Sequence, residues 1–271
     1  MTARELHFVE DCLQIRRKAP VVHNITNYVA MNFSANVLLS VGASPVMSSE
    51  PAEIEELAAI SSALVINIGC IEQLQAQAMD MAASAAHRMG KPWVLDPVGV
   101  GISRLRTDTA KRLAGEFKPA VIRGNASEIM ALAGAGTMPR GVDTANESRV
   151  AVEYAVRLAE KYSTVVSVSG PVDYITDGRQ VIGLANGSPL MPMVTAMGCS
   201  ASAVTAAFLA VNDNALHAAA DAMALMGVAG ERAAAFSAGP GSLMTNFLDV
   251  LATLSPAEAA GQIRFSDVMP E

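Results

Sequence analysis

Four short stretches carry side chains able to do chemistry. They are "LDPVGVG" (95–101), "IRGNASE" (122–128), "SVSGPVD" (167–173) and "TAMGCS" (195–200). Each of the first three follows a β-branched run, so Asp96, Arg123 and the pair Ser169–Gly170 fall at strand tips. In an open parallel sheet, ligands bind beyond the carboxyl ends of the strands. The fourth stretch opens onto a helix, whose first turn presents unpaired N–H groups and partial positive charge. A carboxylate, an arginine, a hydroxyl and a helix N-terminus together suit a nucleoside triphosphate with magnesium.

Each residue also has a plainer reading. Asp96 precedes Pro97 and can simply open a turn. Asn125 and Glu128 fit a capping box, in which Glu128 reaches back to the helix start, and a magnesium role is the competing reading. Arg123 directly follows "AVI" and needs an anionic partner once buried. Ser169–Gly170 alone is a common turn former. Cys199 is either a small core residue or a thiol whose pKa the helix field lowers until it can act as a base. "VGVG" does not complete a dinucleotide fingerprint, and GxxxxGK[ST] is absent from the sequence.

The elements that must position these groups alternate. Strands are expected at 20–26, 43–48, 63–69, 92–98, 120–125 and 164–170 as nearly continuous apolar runs, the pattern of strands covered on both faces. Helical stretches lie between them, including 26–42 and 71–90, the second ending in Gly90 ahead of Lys91–Pro92. Such alternation implies right-handed crossovers and a mostly parallel sheet. "TDGR" (176–179) marks a hairpin turn between two strand-like runs, placing an antiparallel hairpin at one sheet edge. Only helices are expected from Cys199 to about Leu254.

The 271 residues show no linker, repeat or low-complexity tract, so one domain over 1–271 is the expected count. A net charge of −7 argues against a nucleic-acid surface. Three distant cysteines, Cys12, Cys70 and Cys199, form neither a zinc pattern nor a disulfide framework, which fits a reducing cytoplasm. The charged N-terminus lacks an apolar signal core. The Ala-rich stretch 215–238 is interrupted by Asp221, Glu231 and Arg232 and reads as a buried helix, not a membrane span. The low charge content, 17%, fits either a thick core or a buried subunit contact.

Taken together, the stretches 23–47 ("HNITNYVAMNFSANVLLSVGASPVM"), "NIG" (67–69), "LDPVGVG", "IRGNASEI" and "GCSASAVTAA" (198–207) resemble the hydroxyethylthiazole kinase family. The resemblance runs from about Pro20 to Ser242. It implies a ribokinase-like three-layer α/β/α fold and transfer of phosphate from ATP, with magnesium, to the primary alcohol of 4-methyl-5-(2-hydroxyethyl)thiazole in thiamine salvage. It further implies ATP-binding roles for Arg123 and Ser169, and a Gly198 that lets the backbone approach the phosphoryl group. Asp96 and Glu128 match acidic positions associated with magnesium and phosphate. Met47, Ala196, Asn27 and Gly69 match the thiazole pocket, and Cys199 stands where ribokinase relatives carry the aspartate base. A homotrimer with sites between subunits is also implied.

The family's anion-hole loop commonly reads Gly-Thr-Gly-Cys, whereas this chain has Ala196-Met197-Gly198-Cys199. Two rival functions share the fold. An ADP-dependent hydrate dehydratase would normally carry aspartate in place of Cys199. A non-catalytic thiazole or nucleotide sensor would release no ADP.

Overall fold

The computed structural model describes residues 2–135 and 144–266; of the span 1–271, residues 1, 136–143 and 267–271 lie outside it. Six strands run parallel: β1 (Val21–Ile25), β2 (Ser44–Met47), β3 (Ala63–Asn67), β4 (Trp93–Asp96), β5 (Val121–Asn125) and β6 (Val165–Ser169). The antiparallel strands β7 (Asp173–Thr176), β8 (Val181–Leu184) and β9 (Phe265–Ser266) complete a mixed sheet in the order β2-β1-β3-β4-β5-β6-β7-β8-β9. All six expected strands and the hairpin are present. The two-residue β9, which pairs Leu184 with Phe265, is an addition. Two residues are too few to show a period in sequence.

Each sheet face buries its own core. The face bearing Val22, Ala63, Val65, Val94, Val121 and Val165 lies under α1 (Ala3–Lys18) and α2 (Met31–Val41), together with α8 (Met197–Leu209), α9 (Ala215–Ala234), α10 (Pro240–Thr253) and α11 (Pro256–Ala260). The opposite face, with Ile25, Leu64, Ile66, Leu95, Ile122 and Val166, is covered by α3 (Ile54–Ile60), α4 (Gln73–Arg88), α5 (Arg104–Phe117), α6 (Ala126–Ala133) and α7 (Thr144–Tyr162). Burial on both sides makes these strands nearly continuous apolar runs, broken chiefly toward their carboxyl ends. The resulting layers are helix, sheet, helix. None of the helices among the described residues is long and apolar enough to cross a membrane.

Two details of the folding set up the site. The helical stretch expected from residue 26 starts only at Met31, because Asn27 Oδ1 accepts the Ala30 N–H at 3.0 Å and holds 27–30 as a turn. The chain order also reverses at β1, which lies between β2 and β3. That reversal opens a crevice at the carboxyl ends of the neighbouring strands.

Candidate active site

Strand register brings four polar side chains to the sheet face beneath α8. Asn67 is paired with Asp96, and Arg123 with Ser167. Leu95 of β4 is in register with Ile122 of β5, so the residues that follow, Asp96 and Arg123, lie side by side on neighbouring strands. All four side chains are buried.

Asp96 is 1% exposed, and its Oδ2 accepts from Asn67 Nδ2 at 2.6 Å and from Ser202 Oγ at 2.8 Å. Burial pushes its carboxyl up to about 6; Arg123 and the two hydrogen bonds pull it down, and Glu128 adds to the rise. Arg123 is 6% exposed, a level at which an arginine requires compensating partners. Its Nη1 donates to the Gly198 carbonyl at 2.9 Å, while its Nε is buried with no hydrogen-bond partner. Asp173 lies within reach of the same charge. Burial raises its carboxyl to about 7 against the pull of the Gly170 N–H and Arg123.

α8 reaches these groups with its first turn. Ala196 sits at the N-cap with φ 66° and ψ 3° and offers no side-chain cap, so α8 keeps the free donors of a helix start. Gly198 leaves room for the neighbouring guanidinium: a Cβ at that position would stand 2.8 Å from Arg123 Nη1 and displace it. Cys199 receives a hydrogen bond from Asn27 Nδ2 at 3.5 Å. Of the two readings of Cys199, one has the helix field lowering the thiol's pKa. Burial first, then the negative charge of Asp96, instead push it up to about 11, against the hydrogen bonds from Asn27 and Asn67. Cys199 is therefore a neutral thiol at neutral pH.

The left-handed backbone at Ala196 is strained for an L-residue and favours glycine. Ala196→Gly should stabilise the fold by about 1 kcal/mol, or raise Tm by about 2 °C. Thermal unfolding checks this; a lower Tm would mean that the methyl group's packing outweighs the backbone strain.

The remaining predicted positions fall around this centre. Asn27 and Gly69 are adjacent: a Cβ on Gly69 would stand 2.6 Å from Asn27 Nδ2, so glycine is needed there. Met47 ends β2, in register with Asn24 of β1, and is half-buried. Ser169 ends β6 in register with Asn125, its Oγ 3.5 Å from the Gly124 carbonyl. Glu128 completes the capping box, with its Oε2 accepting from Asn125 N at 2.9 Å and its Oε1 from Gly99 N at 3.0 Å. The plain reading of Glu128 is thus realised, and the same contacts tie the loop after β4 to the tip of β5.

Sequence reasoning passed over three residues of this region: Asn67, Ser202 and Arg106. Arg106 Nη1 donates to the carbonyls of Ile68 and Val98, both at 2.8 Å, and Nη2 to that of Gly69, stapling the loops after β3 and β4. Ser202 lies three residues after Cys199, a spacing that puts both on one helix face. That spacing was the available signal.

The helix–sheet–helix fold is of the ribokinase-like class. A ribokinase-like superfamily protein from Enterococcus faecalis superposes with a TM-score of 0.67 at 16% identity, over 89% of this chain and 87% of that one. The Hydroxyethylthiazole kinase family profile matches residues 12–257. A hydroxyethylthiazole kinase from Brachyspira hyodysenteriae is 48% identical over 251 residues, 93% of this chain and 95% of its own. The structure of the hydroxyethylthiazole kinase protein from Pyrococcus horikoshii matches with a TM-score of 0.90 and 35% identity, over 97% of this chain and all of that one. The chain belongs to the hydroxyethylthiazole kinase family.

Proposed function

We propose that this protein phosphorylates the primary alcohol of 4-methyl-5-(2-hydroxyethyl)thiazole with ATP, in thiamine salvage. The observation that carries this reading is Arg123. A nearly wholly buried guanidinium, held against the first turn of α8 with its Nε unpartnered, is prepared for an anion. Arg123, Ser169 and the backbone at Gly198 take the nucleotide phosphates. Met47, Ala196, Asn27 and Gly69 take the thiazole, presenting its hydroxyl to Cys199.

Magnesium fits the donor set. It takes one or two carboxylates together with phosphate oxygens and waters, and needs no protein cage. Among the described residues, no three His, Cys, Asp or Glu side chains gather to form such a cage. Asp96 would hold the ion through Oδ1, since its Oδ2 already accepts from both Asn67 and Ser202, and Glu128 through the further lone pair that each of its hydrogen-bonded oxygens keeps. When bound, it neutralises charge on the transferring phosphates.

In the reaction the alcohol oxygen attacks the γ-phosphorus in line, the bond to the β–γ bridging oxygen breaks, and ADP leaves. The alcohol proton passes to Cys199 Sγ in its thiolate form. A loose phosphoryl-transfer transition state leaves proton removal late, so a proton acceptor scarce at neutral pH suffices. Exposed Tyr28, Val29 and Met193, 64%, 62% and 64% accessible, flank the substrate residues Asn27 and Ala196. This supports assembly as a homotrimer with sites between subunits. A cytoplasmic location accords with the three free cysteines.

An ADP-release screen across hydroxyethylthiazole, hydroxymethylpyrimidine, pyridoxal and simple sugars tests the reading. Release should depend on the thiazole alcohol. Release with another alcohol and none with the thiazole would reject the substrate.

A further inference from the structure

Asn67 is the centre of a hydrogen-bonded chain that none of the roles above uses. It ends β3 at 1% exposure. Its Oδ1 accepts from Asn27 Nδ2 at 2.9 Å and from Gly69 N at 2.9 Å, and its Nδ2 donates to Asp96 Oδ2 at 2.6 Å. Asn27 continues the chain to Cys199 Sγ at 3.5 Å. On the far side, Ser202 Oγ donates to the same Asp96 oxygen at 2.8 Å. The sequence 27–67–96–202 returns to α8 three residues beyond Cys199, so the network closes around the thiol.

The amide has one workable orientation. Turned over, its NH2 would face the Gly69 N–H and the Asn27 amide, and its carbonyl would face a carboxylate. Asn27 is fixed in the same way, because its Oδ1 accepts from Ala30 N at 3.0 Å. Few side chains can replace Asn67. Aspartate would accept both donors but place a second negative charge against Asp96. Alanine makes neither contact, and glutamine is one methylene too long for a filled site.

We propose that Asn67 is a positioning residue that ties the alcohol-binding side of the site to Asp96, with Ser202 as the second anchor of that carboxylate. This inference rests on the reading of the site as a thiazole kinase. It assigns Asn67 two separable tasks. Its oxygen holds Asn27 and Gly69, which line the substrate pocket. Its nitrogen fixes the rotamer of Asp96.

The test compares Asn67→Asp, Asn67→Ala and Ser202→Ala with the wild type. Calorimetry measures the Kd of hydroxyethylthiazole in the absence of nucleotide, and steady-state kinetics measures kcat. Supporting groups behind a reactive centre typically contribute about 10- to 100-fold. Asn67→Asp should therefore keep the thiazole Kd within about threefold and lower kcat by about 10- to 100-fold. Ser202→Ala should leave the Kd unchanged and lower kcat by about tenfold. Asn67→Ala should weaken both, and it carries the test if the aspartate variant is not recovered folded. A merely structural asparagine would lower Tm and leave Kd and kcat per folded enzyme at wild-type values; that result overturns the proposal. A wild type that turns over no thiazole would instead overturn the reading of the site.

Discussion

Cys199→Ala should lower kcat about 100-fold while leaving the ATP KM within about threefold, and Cys199→Asp should match or exceed the wild type. The alanine effect is placed at the low end of the usual range for a positioned base because the thiol is poorly matched to neutral pH. Burial and Asp96 hold it up to about 11, so the thiolate is a minor species. The sign of the pH dependence follows. The thiolate fraction grows as pH rises toward about 11, so wild-type kcat should climb through the alkaline range. An aspartate at the same place keeps the hydrogen bond from Asn27 and ionises at far lower pH, so its kcat should be flat there. Rates of phosphorylated thiazole formation at saturating ATP, taken across pH, check this. An alanine variant with wild-type kcat would return Cys199 to the role of a packing residue.

Arg123→Ala should raise the ATP KM at least tenfold, since a charge-assisted hydrogen bond contributes about 1.5–3 kcal/mol. Arg123→Lys should rescue little of this, because a point charge does not reproduce a planar fork that also holds the Gly198 carbonyl. The variant should also change the dependence of stability on pH. Arg123 restrains the raised carboxyls of Asp96, at about 6, and Asp173, at about 7. Their native pKa values lie above the unfolded ones, so ionising them costs native stability as pH rises through that window. Without the guanidinium the native values rise further, and the variant keeps losing stability above about pH 7 after the wild type has levelled off. Denaturant unfolding at several pH values reads this directly. An unchanged ATP KM in a folded variant would remove Arg123 from the nucleotide site.

The strands were legible because burial on both faces forces continuous apolar runs, and their polar tips stood out against that background. Asp96 and Arg123 stand out this way, Cys199 by the loop that opens onto a helix, and Asn125 with Glu128 announces its capping box by spacing alone. Asn67 was hidden for a physical reason. Its side-chain partners Asn27 and Asp96 are 40 and 29 residues away, and only the pairing of β3 with β1 and with β4 brings them together. Ser202 likewise meets Asp96 across 106 residues. The choice between the two readings of the Cys199 thiol is not legible in sequence, because a helix N-terminus can be read locally while burial and the approach of Asp96 are tertiary facts. The left-handed Ala196 was foreshadowed by its departure from the glycine of the family loop, and the backbone gives that departure a measurable cost.

Product analysis tests the thiazole-kinase activity most directly. The wild-type protein is incubated with ATP, magnesium and 4-methyl-5-(2-hydroxyethyl)thiazole, and phosphorus NMR follows ADP and phosphate ester together. The predicted result is one thiazole phosphate monoester for each ADP, with only background ADP when the alcohol is withheld. ADP without the ester, or no turnover of the thiazole at all, would contradict it.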